Sequence, residues 1–285
     1  MKASRFLTLV FTVAVAAASV IMPAGLAAAD CDKVVVTGAD IAEQPENTLP
    51  TRNWVLYKRN AGDGQVRTGP ATPPSGSGSY ELVTPTGADK ATLFNFDHVG
   101  TPLADVNKIG YSTYRTAGEL QQVAALNIQV DVNGDAPGGF TTLVFEPVYN
   151  TDQGVVTSGV WQTWDAYNGG QAIWWSSNAI PSAPNRDTFV SWDTIVAANP
   201  DAVIVGGFGI NQGSGNNALT TAADNLSLGY GEGAEAVCVT YDFEVFRVAT
   251  SKEDCKDGGF QNVKTASGAS FKNQGQCIQY VNTGK

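Results

Sequence analysis

The sequence predicts an all-β fold, a jelly-roll-like antiparallel β-sandwich with one short helix. Three observations carry this. Residues 126–132 alternate Leu126, Ile128, Val130 and Val132 with Asn127, Gln129 and Asp131, the period of a half-buried strand. A turn at 133–139, rich in glycine and broken by Pro137, leads into 141–149, which is apolar on both faces, as in a strand covered on both sides. Elsewhere short strand-like runs recur between turn residues at regular spacing, with almost no helical periodicity.

The remaining elements follow in order. Residues 33–36 open the sandwich, and 37–51 read as irregular, being rich in proline, asparagine and acids. Residues 53–58 and 65–67 read as strands. Residues 69–78 have the composition of a flexible linker, but similar strand-like runs on both sides make them a loop within one domain. Strands are expected at 79–83, 91–96 and 108–115, with a single helical turn at 103–108. An aromatic-rich passage contains Trp161, Trp164, Tyr167, Trp174 and Trp175. Ser191 caps the one short helix, whose stripe is Trp192, Ile195 and Val196 and which Asn199-Pro200 ends. A buried strand at 201–205, turns in the glycine-rich run 206–215, and strands at 223–228 and 237–248 complete the sandwich.

The first 29 residues have the form of a secretory signal. Lys2 and Arg5 give a positive start, 6–20 an apolar run, and Ala27, Ala28 and Ala29 a small-residue cleavage site. The run is short for a membrane span of about 20 residues, and Pro23 and Gly25 break it. No later stretch is apolar enough to span a bilayer, so the expectation is a secreted, soluble chain. Removing the signal from the 285 residues leaves about 256, enough for one large sandwich core. That sandwich domain is placed at 30–250. Residues 251–285 change character, end in an expected strand at 278–281, and form an appendage too short to hold a core alone. The whole-chain charge is −10, and loss of Lys2 and Arg5 takes it to about −12. Lysines and arginines are scattered, which excludes nucleic acid and anionic membrane as electrostatic partners.

Four cysteines remain after cleavage: Cys31, Cys238, Cys255 and Cys277. Export makes disulfides the expected state, and three pairings are arithmetically open. Cys31–Cys238 with Cys255–Cys277 is preferred, because a first and a late strand commonly meet in a sandwich. A Cys/His zinc site is excluded in practice: no CxxC occurs, and His98 is the sole histidine.

Glu146 shares the parity of Val144 and Val148, so it points to a sheet face that also carries apolar groups. On a concave face it would be desolvated, and with Asp165 or Glu244 it would form a glycosidase-like pair. The competing reading is a carboxylate satisfied by backbone donors. Trp161, Trp164, Trp174 and Trp175 are candidates for a stacking platform under sugar rings, against the alternative that they pack in the core. Adjacent Trp174 and Trp175 point opposite ways in a strand. Asp131, Asn133 and Asp135 place three oxygen ligands at alternate positions, as in a structural calcium loop. Ala136 stands where the loop's glycine belongs, and a plain turn is the competing reading. No Gly-x-Ser-x-Gly elbow is present, and no catalytic residue is assigned.

Several segments together resemble secreted bacterial jelly-roll proteins, loosely related to concanavalin-like and galactose-binding-like sandwiches. They are 74–82 (PSGSGSYEL), 103–105 before 110–114, 142–147 (TLVFEP), 161–165 (WQTWD), 200–202 and 224–226. The resemblance covers most of 50–245 and implies the fold but no activity. The end of the chain, 258–260 with 271–277 (FKNQGQC), resembles a short tail on exported actinobacterial proteins, with Phe260 where others have tryptophan. Three functions are then expected. Non-catalytic binding of carbohydrate or another extracellular polymer leads, because tryptophans are many and catalytic motifs few. A glycan hydrolase or lyase, and a cell-envelope structural or interaction protein, are the alternatives.

Overall fold

The computed structural model describes residues 31–118, 121–134 and 137–285, so the expected signal segment lies outside the described residues. In chain order the strands of the first half are β1 (Asp32–Val36), β2 (Ile41–Pro45), β3 (Trp54–Arg59), β4 (Asp63–Thr68), β5 (Gly78–Thr84), β6 (Lys90–Asn95), β7 (Val106–Ala117) and β8 (Ala125–Asp131). There follow β9 (Phe140–Phe145), β10 (Trp161–Asp165), β11 (Ile173–Ser176), β12 (Val190–Ser191), helix α1 (Trp192–Ala198), β13 (Val203–Gly213) and β14 (Leu219–Tyr230). The chain closes with β15 (Val237–Phe243), β16 (Arg247–Val248), β17 (Val263–Lys264) and helix α2 (Gln274–Thr283).

Two sheets form the sandwich. The larger has eight strands in the order β12-β11-β9-β8-β13-β6-β3-β2. The expected hairpin is there: β8 and β9 pair antiparallel, Leu126 opposite Phe145 and Asp131 opposite Phe140. In the seven-stranded sheet, β14 pairs along its length with β7, which in turn pairs β10. The other edge of β14 is shared, residues 219–223 pairing with β5 and 226–230 with β15. Asn225, at φ 53°, marks the change of partner. Pairing is antiparallel except at β1–β15, β2–β3 and β16–β17.

The core lies between the sheets. Alternate residues of the larger sheet, among them Leu56, Leu93, Leu126, Ile128, Leu143, Phe145, Trp174 and Phe208, meet Tyr80, Leu82, Tyr111, Trp164, Leu228, Tyr241 and Phe243 from the other. Each large aliphatic or aromatic side chain buried here contributes roughly 1.5–3 kcal/mol. Both expected disulfides form, Cys31–Cys238 and Cys255–Cys277. The first extends the β1–β15 register by one rung, since Asp32 lies opposite Val239. Ser191 caps α1 as expected, its hydroxyl accepting from the Thr194 N–H at 3.2 Å.

Four local expectations are corrected. The first part of the glycine-rich run is strand, not turn: β13 continues through Gly206, Gly207 and Gly209, and the chain turns only after Gly213. A Cβ at Gly207 would stand 2.2 Å from Phe94 Cγ, and one at Gly209 would stand 1.9 Å from the Leu93 carbonyl oxygen. These glycines therefore permit close approach rather than a bend. The irregular 37–51 contains β2, which runs parallel to β3. The expected strand 237–248 breaks after Phe243. The terminal strand at 278–281 is instead the helix α2, so the described residues hold two α-helices rather than one. Asn273 caps its start, and Gly284 ends it in the left-handed region. Cys277, Ile278, Tyr280 and Val281 pack with Ala249, Cys255, Val263 and Phe271 in a hydrophobic cluster separate from the main core.

Candidate binding groove

The outer face of the eight-stranded sheet carries the residues that interleave with the core. On β3 and β6 these are Val55, Tyr57 and Phe94, which form a small apolar cluster with Phe96 against the outer side of the sheet. On β8 they are Asn127 and Gln129, on β9 Thr142 and Val144, on β11 Trp175, and on β13 glycines followed by Asn211. Glycine on β13 lowers the floor in the middle of the sheet. The result is a trough in two parts, both bordered by Lys90.

The first part encloses about 430 Å³ and is largely aromatic and aliphatic: Tyr57, Phe94 and Phe96 line it, with Leu49, Val99, Phe140 and Val205 exposed around it. The Tyr57 hydroxyl donates to the Thr48 carbonyl at 3.0 Å, which ties the loop after β2 to the rim. Glu46 accepts Lys90 at 2.8 Å and lies 3.5 Å from Arg59.

The second part encloses about 330 Å³ and is polar, lined by Gln122, Asn127, Thr142, Glu146, Trp175, Arg186 and Asn211 among others. Trp175 Nε1 donates to Glu146 Oε2 at 2.8 Å. The Arg186 guanidinium lies over the same indole, 5.0 Å from the ring centre. Burial pushes the Glu146 carboxyl up, while the Trp175 hydrogen bond and the charge of Arg186 oppose that rise. Thr92 Oγ1 donates to Asn211 Oδ1 at 2.7 Å, and the Gly207 N–H donates to Gln129 Oε1 at 2.8 Å. Asn127 is only 7% exposed, and its Oδ1 has no hydrogen-bond partner; the buried Gln122 Oε1 is in the same state. An unpaired buried amide oxygen costs about 1–3 kcal/mol.

The candidate residues taken from the sequence separate. Glu146 and Trp175 lie together in the polar half. Trp164 and Trp174 are corrected to core residues, 1% and 0% exposed, their Nε1 atoms donating to Thr113 Oγ1 and the Ala166 carbonyl. Trp161 stands on β10 in the other sheet, beside Tyr114 and bonded to the Pro70 carbonyl. Four tryptophans thus do not make one platform, because strand parity sends them to different faces. Nor does Glu146 meet its expected partners. Asp165 ends β10 in the opposite layer and accepts the Tyr167 and Asn168 N–H groups, while Glu244 accepts Ser77 N–H at 2.7 Å. In the 131–139 loop Asp131 Oδ1 accepts the Asn133 N–H at 3.1 Å, and Asp135 lies outside the described residues. Among the described residues no group of three or more His, Cys, Asp or Glu gathers as a metal site.

No protein-family model and no curated protein matches the sequence. Among solved structures, the chain is similar to a family 11 carbohydrate-binding module from Clostridium thermocellum in complex with a β-1,3-1,4-mixed-linked tetrasaccharide. The identity is 12%, the match covers 64% of this chain and 90% of that one, and the TM-score is 0.37. It is likewise similar to the family 11 module of the cellulosomal cellulase Lic26A-Cel5E of the same organism, at 13% identity, 67% and 94% coverage and a TM-score of 0.36. No ligand for this chain follows from either. The trough residues missing from the sequence reading are Asn127, Gln122, Arg186, Lys90, Tyr57 and Phe94. Asn127 had a signal, since it alternates with the core residues Leu126 and Ile128.

Proposed function

We propose that this is an exported, non-catalytic protein that binds carbohydrate, or another hydroxyl-rich extracellular polymer, along the outer trough of the eight-stranded sheet. The observation that carries the reading is the half-buried Trp175, held between Glu146 and Arg186 on the same open face as the Tyr57–Phe94–Phe96 cluster. Sugars present hydroxyl donors at their edges and C–H groups on their faces, and the trough offers acceptors in one half and rings in the other. From β3 to β11 the trough crosses six strands, about 24 Å at the usual strand spacing, which suits a chain of several sugar rings better than a single one. Calcium at the 131–135 loop is retained as a structural element of the proposal.

Hydrolysis is the weaker reading, because the trough's other carboxylate, Glu46, is tied to Lys90 and Arg59. A glycan array on the mature chain, with calcium present and then chelated, tests the proposal. Trp175→Ala is expected to weaken retention of any bound glycan about tenfold or more, as loss of one good contact does. Glu146→Gln, which keeps an acceptor for the indole N–H, is expected to leave binding within a few-fold. Unchanged affinity in Trp175→Ala would sink the proposed location. Turnover of a glycan that Glu146→Gln abolishes would replace binding by hydrolysis.

A further inference from the structure

Resting on the glycan reading of the trough, we infer that the sugar unit held in its polar half carries a carboxylate, which pairs with Arg186. The charge distribution is the first ground. The chain has 27 acidic residues against 17 basic ones, yet the trough is lined by Lys90 and Arg186 beside Glu46 and Glu146, and Arg59 reaches Glu46 from outside the lining. Glu46 is shared by two of the cations, Lys90 and Arg59. Glu146 gives one carboxylate oxygen to an indole N–H. Arg186 acts on Glu146 through its charge but lies beyond ion-pair distance of it. Among the described residues it makes no ion pair, and the group it touches is the Trp175 ring.

The placement of that arginine is the second ground. A guanidinium over an indole is held by the ring while its N–H fork stays free for a planar anion. Carboxylate recognition by such a fork is bidentate and geometrically specific. The third ground lies in the same pocket. Its lining also carries the polar side chains of Thr142, Ser177 and Asn211, which suit hydroxyl groups. A neutral sugar supplies hydroxyls but leaves Arg186 on water. A simple carboxylate satisfies Arg186 and leaves these side chains on water. A uronate supplies both from one ring, with its hydroxyls on the polar side chains and its carboxylate on the side of Arg186 away from Glu146.

The test compares retention of polygalacturonate and of alginate with that of the same polymers after reduction of their carboxyls to alcohols. The mature wild-type protein is expected to bind a uronate polymer at least about tenfold more tightly than its reduced form, the scale of a charge-assisted bidentate contact. Arg186→Gln is expected to bring the two within about twofold without shifting the melting temperature, since Arg186 is exposed. Arg186→Lys, which keeps the charge and loses the fork, should retain part of the preference. Raising salt should erode the preference as well. Equal affinity for acid and reduced polymers, with binding intact, overturns the carboxylate inference and leaves the trough as a neutral-sugar site. Failure to retain these polymers or any neutral glucan or xylan overturns the trough reading and this inference with it.

Discussion

Trp164 and Trp175 illustrate how much a single ring's surroundings decide. Trp164 is sealed between the sheets with its Nε1 on Thr113. Trp164→Ala is therefore expected to cost about 3–5 kcal/mol, with the Thr113 hydroxyl losing its donor, and urea unfolding should show it directly. Trp175 is half-buried, so its truncation should cost less than half of that and be read mainly in binding. A Trp164→Ala variant with wild-type stability would mean that the ring is not core. Strand parity in the sequence already separates Trp161 from Trp164 and Trp174 from Trp175. It does not say which member of each pair faces inward, because that depends on the partner strands. Arg186 left no trace in the sequence at all: it reaches Trp175 from the loop between β11 and β12.

At the scale of elements, the β8–β9 pair was legible because alternation and a glycine-rich turn both belong to neighbouring residues. The β13 glycines were not, since what requires them is Phe94 and Leu93 on β6, more than a hundred residues earlier. Gly209→Ala tests that requirement. With a Cβ 1.9 Å from a backbone oxygen that no rotamer can move, it is expected to lose about 1–3 kcal/mol, as overpacked sites do. Thermal melts should report it, and a neutral effect would show that β6 and β13 can part freely. Helix α2 misled for a related reason. Ile278 and Tyr280 alternate like a strand, whereas the deciding signals were its ends, Asn273 and Gly284. The preferred cysteine pairing held because first and late strands do lie side by side, in the parallel pair β1–β15.

For the whole molecule, two buried titrating groups pull its stability in opposite directions with pH. Burial raises the Asp224 carboxyl from its ordinary 3.8 to about 7, against hydrogen bonds from the Asn225 and Phe243 N–H groups and with the neighbouring charge of Asp242. A carboxyl raised on folding contributes stability below its unfolded value, and that contribution is lost as pH rises through about 7. Burial lowers His98 from 6.5 to about 4, with Asp97 opposing. That group contributes stability above 6.5, lost as pH falls through about 4. Between pH 4 and 6.5 the two offset one another. Asp224→Asn removes one side only, so the melting temperature of this variant should fall more steeply than that of wild type on acidification from pH 7 to 4. Parallel melting curves would show that Asp224 does not titrate in this window. The sheet that bears the trough stands opposite the sheet that holds Asp224.

The link between Cys31 and Cys238 has a mechanical meaning. It joins positions 207 residues apart at adjacent ends of the edge strand β1 and its neighbour β15. Tension applied at residue 31 and at the C-terminus would cross from sulfur to sulfur and bypass nearly everything between. The second bond, Cys255–Cys277, shields another stretch in the same way. Between the two bonds a pull would bear first on 239–254, where the paired end of β15 resists it, and on the last few residues, so the other sheet, which carries the trough, lies off the loaded path.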